Sequence, residues 1–216
     1  RRCSESLVDT LAALHTVDID GAGLSEFGRP NGYIGRQVRR WRGQWDLVAT
    51  RTSPEVNALH ALLAAKVPEH SDEAIVHGDF RLDNTIVDRD DASSILAVVD
   101  WEMATLGDPL ADLGLMLVYW DSASQPVLGV RHAIEANTGF LSGTQVAERY
   151  AIASGRDLTD LDFYRALGYF KLAVIAEGIH QRFLTGKTVG AGFETVGDAV
   201  PALLERGLSL LQARQI

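Results

Sequence analysis

Three short apolar runs in the middle of the chain each end on a side chain able to do chemistry. The runs are Ile75-Val76, Thr85-Ile86-Val87 and Ile95 to Val99. Asp79 follows the first, Asn84 precedes the second and Asp100 closes the third. Continuous runs this short, rich in β-branched residues, predict strands buried on both faces. A carboxylate beside such a run is costly to bury unless it is paired, protonated or bound to a metal. Asn84 and Asp100 offer the hard oxygen ligands that Mg²⁺ prefers.

The order is Asp, then Asn five positions on, then a strand and a second Asp. It resembles the catalytic half of protein kinases, where H-R-D-x-x-x-x-N is followed by D-F-G. Here the motifs read His77-Gly78-Asp79 with Asn84, and Asp100-Trp101-Glu102. Gly in place of Arg, and Trp-Glu in place of Phe-Gly, make the chain resemble the aminoglycoside phosphotransferase and choline kinase branch. Within it, the stretches Tyr33 to Trp41, His77 to Asn84 and Val98 to Gly114 resemble the kinase-like domains related to acyl-CoA dehydrogenase family members 10 and 11. The resemblance runs from about Leu7 to the last helix.

That resemblance implies an α+β, mainly helical fold: the C-terminal, substrate-binding lobe of a protein-kinase-like fold, with a small β-hairpin carrying the catalytic and metal-binding loops. It implies an ATP-dependent phosphotransferase acting on a small-molecule hydroxyl, with Mg²⁺ as cofactor and ATP as co-substrate. Asp79 would orient or deprotonate the acceptor hydroxyl. Asn84 and Asp100 would hold the metal and, through it, the nucleotide. Arg81 would stabilise the transferring phosphoryl group. His77 and Asp112 would support these groups from behind, Asp112 by accepting from catalytic-loop amides, and Glu102 would either assist the metal through a water or simply cap. Trp101 is expected to pack, and Asp83 to make a turn contact. A Gly-rich loop and a strand Lys paired to a helix Glu are not found in this sequence. The chain opens on Arg1-Arg2-Cys3 without an initiator Met. The expectation is therefore that residues 1–216 form one lobe, that its N-terminal nucleotide-binding lobe lies upstream, and that the lobe alone binds ATP weakly.

Composition narrows the remaining choices. Hydrophobic content of 46% and charged content of 23% are those of a globular domain. A net charge of −9 argues against nucleic acid as the main partner. With Cys3 as the single cysteine, no disulfide framework or Cys-based zinc site can form within the chain, which suits a cytoplasmic setting. No apolar run is long enough to predict a membrane span.

The positioning elements are mostly helices. Periodic apolar residues predict helices from Ser4 (as cap) to His15, Tyr33 to Val48, Pro54 to Lys66, Asp108 (as cap) to about Trp120, Val130 to Thr138, Thr144 (as cap) to before Gly155, Asp160 to about Leu184, and Val196 to Ala213. Residues 18–32 read as a glycine-rich loop without a phosphate-binding pattern. His15 and His180 are expected to be structural. Arg36, Arg39, Arg40 and Arg42 form a basic cluster without matched acids, either a solvated face or an anion site for a phosphorylated acceptor such as a CoA ester, with Arg36 and Arg40 the candidate substrate contacts. An acidic chain favours a cationic acceptor, such as an aminoglycoside or choline. The arginines and the closer resemblance favour a hydroxy acid or hydroxyacyl thioester. A pseudokinase ligand-binding module and a Mg²⁺-dependent phosphohydrolase are the rival classes.

Overall fold

The computed structural model describes residues 1–128 and 139–213. The helix expected over Val130 to Thr138 lies outside them. Seven helices of ten residues or more carry the described fold: α1 (Arg2–His15), α2 (Tyr33–Val48), α3 (Pro54–Ala65), α4 (Leu110–Tyr119), α5 (Gly143–Ser154), α6 (Leu161–Leu184) and α7 (Ala199–Gln212). The strands are β1 (Ala74–Val76), β2 (Thr85–Val87), β3 (Ile95–Val98) and β4 (Thr105–Gly107). The fold is thus mainly helical with small sheets. No described helix is long and apolar enough to cross a membrane.

The core is built around α6, whose Phe163, Tyr164, Tyr169 and Phe170 are buried. It packs along α4 and α7, while α2 lies against α6, and α3 against α6 and α7. The approach of α4 to α6 is close because Gly114 lacks a side chain. A Cβ there would fall 2.6 Å from the Tyr164 carbonyl carbon. Gly114→Ala is therefore expected to push the helices apart at a cost of about 1–3 kcal/mol. The urea midpoint reads this directly; an unchanged midpoint would show that the contact can relax.

Local signals differ from the sequence expectation in several places. Helix α1 begins at Arg2, so Ser4 is not its cap. Ser4 is instead buried, donating to the Arg1 carbonyl at 2.7 Å and accepting from the Leu141 N–H at 3.0 Å. Ser142, not Thr144, caps α5, in a reciprocal capping box with Gln145. Asp108 does accept the Leu110 N–H at 2.9 Å, although the helix itself starts at Leu110.

The β-strands form two antiparallel pairs, β1 with β4 and β2 with β3. Only β1 is buried throughout. In the β2–β3 hairpin Ile86 is 51% and Leu96 62% exposed, which corrects the expectation of strands buried on both faces. A hairpin with one open face needs only one apolar side against the core, so a continuous apolar run does not specify two-sided burial.

Candidate active site

The turn after β1 brings the first motif to the surface of the helical core. It depends on Gly78, whose φ is +84°. A Cβ there would also come 2.9 Å from that of Met103. A residue with a side chain would be strained and crowded at once. The turn is gripped from three sides. Asp112, on the first turns of α4, accepts the His77 N–H at 2.6 Å and the Gly78 N–H at 2.8 Å. The Lys171 ammonium of α6 donates to the Gly78 carbonyl at 2.5 Å. His77 donates from Nε2 to the Val99 carbonyl at 2.9 Å, which leaves Nδ1 to accept the Asp79 N–H at 3.3 Å. Trp101 lies on the His77 ring with centroids 4.9 Å apart, yet is 43% exposed, so it covers the site's edge instead of filling the core.

Asp79 emerges from this turn with both carboxylate oxygens engaged. Asn84 donates from Nδ2 to the Asp79 carbonyl at 2.8 Å and to Oδ2 at 3.1 Å. The Tyr119 hydroxyl, at the end of α4, donates to Oδ1. Arg81 Nε stands 3.5 Å from Oδ2, and Arg81 Nη1 is 3.3 Å from Asp83. Arg81 Nε is buried and makes no hydrogen bond, and the guanidinium lies 5.5 Å from the Tyr119 ring centroid. Such a cation is held by charge and stacking and can turn toward an incoming anion.

Asp100 is tied to this region through the backbone of its neighbour Val99. The Val99 N–H donates to the Asn84 carbonyl at 2.9 Å, so Asp100 follows directly after a backbone contact with Asn84. Its φ of 67° is the one positive value at a non-glycine among the described residues. Asp tolerates this region better than most residues, and such outliers gather at functional sites. Asn84 is buried, with its amide nitrogen committed to Asp79, which leaves its carbonyl oxygen to a cation. Asp100 is exposed. No group of three or more His, Cys, Asp or Glu able to hold a metal occurs among the described residues. Asn84 and Asp100 are oxygen donors of the kind a hard cation takes, and as two groups they would need its remaining ligands from elsewhere.

Glu102 follows in the short 3₁₀ turn Trp101–Met103. It faces a cavity of about 470 Å³ between α2, α6 and the Gly78 turn. Tyr33, Arg36, Arg40, Trp41 and Lys171 line its walls. The basic cluster is less uniform than its sequence suggests. Arg42 pairs with Asp46 at 3.1 Å, one helical turn on, so the cluster is not without matched acids. Arg36 donates to the carbonyls of Arg29 and Asn31 and so ties down the glycine-rich loop. Lys171 is only 9% exposed, and its ammonium lies 5.2 Å from the Trp41 ring centroid. Burial depresses its pKa, opposed by the charges of Asp79 and Asp112.

Asp112 is itself anchored. His15 of α1 donates from Nε2 to its Oδ2 at 3.3 Å, and His15 Nδ1 meets the Tyr150 hydroxyl at 2.7 Å. Burial pushes the Asp112 carboxyl up, but the His15 ring and the two amides outweigh it and hold the pKa below the ordinary value.

A family model described as the phosphotransferase enzyme family matches residues 1–166. The chain belongs to that family. Among curated relatives, acyl-CoA dehydrogenase family member 11 of Rattus norvegicus is 37% identical over 209 residues, covering 95% of this chain and 27% of its own length. Acyl-CoA dehydrogenase family member 10 of Mus musculus is 34% identical over 198 residues, covering 90% and 18%. This phosphotransferase-family chain thus spans about a quarter of the family member 11 relative. A solved structure from Ralstonia eutropha, described as a candidate aminoglycoside phosphotransferase, superposes with a TM-score of 0.87 at 31% identity, covering 98% of this chain and 65% of that one. A macrolide 2′-phosphotransferase from Brachybacterium faecium shares the fold at 21% identity, with a TM-score of 0.55 over 92% of this chain and 60% of its own.

Proposed function

We propose that this chain is the C-terminal, substrate-binding lobe of a kinase-like enzyme that transfers the γ-phosphoryl group of ATP to a hydroxyl of a small molecule. The observation that carries the reading is the setting of Asp79: a carboxylate held by Asn84 and Tyr119, with Arg81 over the Tyr119 ring beside it, and with Val99, which precedes Asp100, bonded to the Asn84 backbone. The acceptor oxygen forms a bond to the γ-phosphorus as the bond to the β,γ-bridging oxygen breaks. That bond's electron pair leaves with ADP, and the hydroxyl proton passes to Asp79. Arg81 faces charge spread over the equatorial oxygens. Mg²⁺ held by Asn84 and Asp100 would neutralise phosphate charge. The lobe that closes over the nucleotide is read as an upstream partner. In support, Ile86, Leu96, Val99 and Trp101 leave apolar surface exposed beside Asn84 and Asp100. A reducing cytosol suits a chain whose one cysteine is Cys3.

For the acceptor, we favour a hydroxy acid or hydroxyacyl thioester. Arg29, Arg36, Arg40 and Lys171 face the cavity against Glu102 and Asp112. The Asp112 carboxylate is already taken by two amides and His15, so the cavity is cationic within an acidic chain. Relatives named as acyl-CoA dehydrogenase family members fit an acyl acceptor. The second reading, a cationic acceptor, draws on the net charge of −9 and on the Ralstonia eutropha neighbour. Steady-state kinetics on the natural full-length protein separate them. Arg40→Glu is expected to raise KM for an anionic acceptor by about 10- to 100-fold and to leave KM for ATP unchanged, whereas Lys171 also holds the Gly78 carbonyl and is not a clean probe. A cationic acceptor bound more tightly by Arg40→Glu than by wild type reverses the assignment. Arg36 is the poorer probe, because its loss also frees the loop it ties.

A further inference from the structure

Helix α4 presents two polar side chains to the same turn. Asp112 and Tyr119 are seven positions apart, close to two full helical turns, and so lie on one face. Asp112 grips the backbone of His77 and Gly78. Tyr119 reaches one residue further and donates its hydroxyl to Oδ1 of Asp79. Its ring also carries the Arg81 guanidinium, centred 5.5 Å away. The phenol is buried among carboxylates. Burial first, then the charge of Asp79 and its hydrogen bond, hold the Tyr119 pKa far above its ordinary value, so the hydroxyl stays a donor.

We propose that Tyr119 is a positioning residue for phosphoryl transfer, acting through Asp79. By holding Oδ1, it fixes the plane of the carboxylate with Asn84 on the other oxygen, so that the remaining lone pair of Oδ2 is the one presented to the acceptor hydroxyl. By supporting Arg81 on its ring, it keeps the cation next to that oxygen. Held at Oδ2 alone, the carboxylate keeps freedom about χ1 and χ2 and spends less time in line with the attacking hydroxyl. A misplacement of about 1 Å there costs on the order of 100-fold in rate. The proposal rests on the phosphotransfer reading above. It adds a residue that no motif marks, because a Tyr in an apolar helix reads as core.

The test is a double-mutant cycle in the natural full-length protein. Tyr119→Phe keeps the ring and its stacking on Arg81 and removes only the hydroxyl. It is expected to lower kcat by about 10- to 100-fold, with KM for ATP and acceptor unchanged. In an Asp79→Asn background the same change is expected to have no further effect, because there is no base left to position. Thermal unfolding checks the fold, and Tyr119→Met serves as a second hydroxyl-free variant should Tyr119→Phe be unstable. Equal losses in both backgrounds would show a general packing role and overturn the proposal, as would full kcat in Tyr119→Phe. A wild-type protein that phosphorylates no acceptor sinks the phosphotransfer reading itself, an outcome distinct from an active wild type indifferent to the hydroxyl.

Discussion

Replacing Asp79 by Asn in the full-length protein is expected to lower kcat for phosphoryl transfer by about 10²- to 10⁴-fold, the range for loss of a positioned general base. Asn is close in shape, so it can keep the contacts with Asn84 and Tyr119 in altered polarity while losing the ability to take a proton. KM for ATP is expected to hold, since Asn84 keeps the Asp79 carbonyl as an acceptor and its own oxygen is left for the metal. The change separates catalysis from ligand binding: a variant that still binds MgATP but does not transfer marks Asp79 as acting on the acceptor. Full transfer by Asp79→Asn would instead favour a ligand-binding module whose carboxylate serves the loop. Single-turnover kinetics are the suitable measurement, because they exclude slow product release as the step observed.

The second large effect is on stability. Asp112→Ala removes a buried carboxylate that accepts the His77 and Gly78 amides and the His15 ring. Two buried N–H groups and a buried imidazole then lose their acceptor, at a cost of about 3–5 kcal/mol. Urea unfolding measures it. The pH dependence has a defined sign. The folded pKa of Asp112 is lowered, so the stability it contributes is present above the unfolded value of about 3.9 and is lost as pH falls through the folded value. Its neighbour Asp108 has the opposite sign. Burial raises its pKa despite donors from Tyr164 and Ser71, so its contribution is present at low pH and is lost as pH rises through that raised value. Asp112→Asn should therefore flatten the loss of stability in acid, and unchanged acid sensitivity would assign that sensitivity to other groups.

How much of this was legible in the sequence varies with the range of the interaction. Helix periodicity is local, and the long elements stand close to their expected bounds; α6 runs Leu161–Leu184. Asp79, Asn84 and Asp100 stood out because their residue types and spacing carry a specific chemistry. The Arg42–Asp46 pair was also readable as an i,i+4 match, although the cluster's density of positive charge obscured it. Pairing of β1 with β4 was not visible, since three residues of strand leave little pattern and the partner lies some thirty positions on. Tyr119, Lys171 and His15 were missed as site residues for a shared reason. Each sits within or at the end of a helix and meets the catalytic turn only after folding, so the contact has no signature in sequence spacing. Lys171 in particular reads as a surface lysine, whereas a Trp41 face and the Gly78 carbonyl receive it in the interior.

The most direct test of the central claim is a product balance. The full-length protein is incubated with MgATP and a panel of hydroxy acids, hydroxyacyl thioesters and aminoglycosides, while ADP and the acceptor's mass are followed together. The account predicts one phosphorylated acceptor for each ADP formed, with both products lost in Asp79→Asn. ADP and inorganic phosphate without any phosphorylated acceptor would contradict it and point to a phosphohydrolase using the same carboxylates.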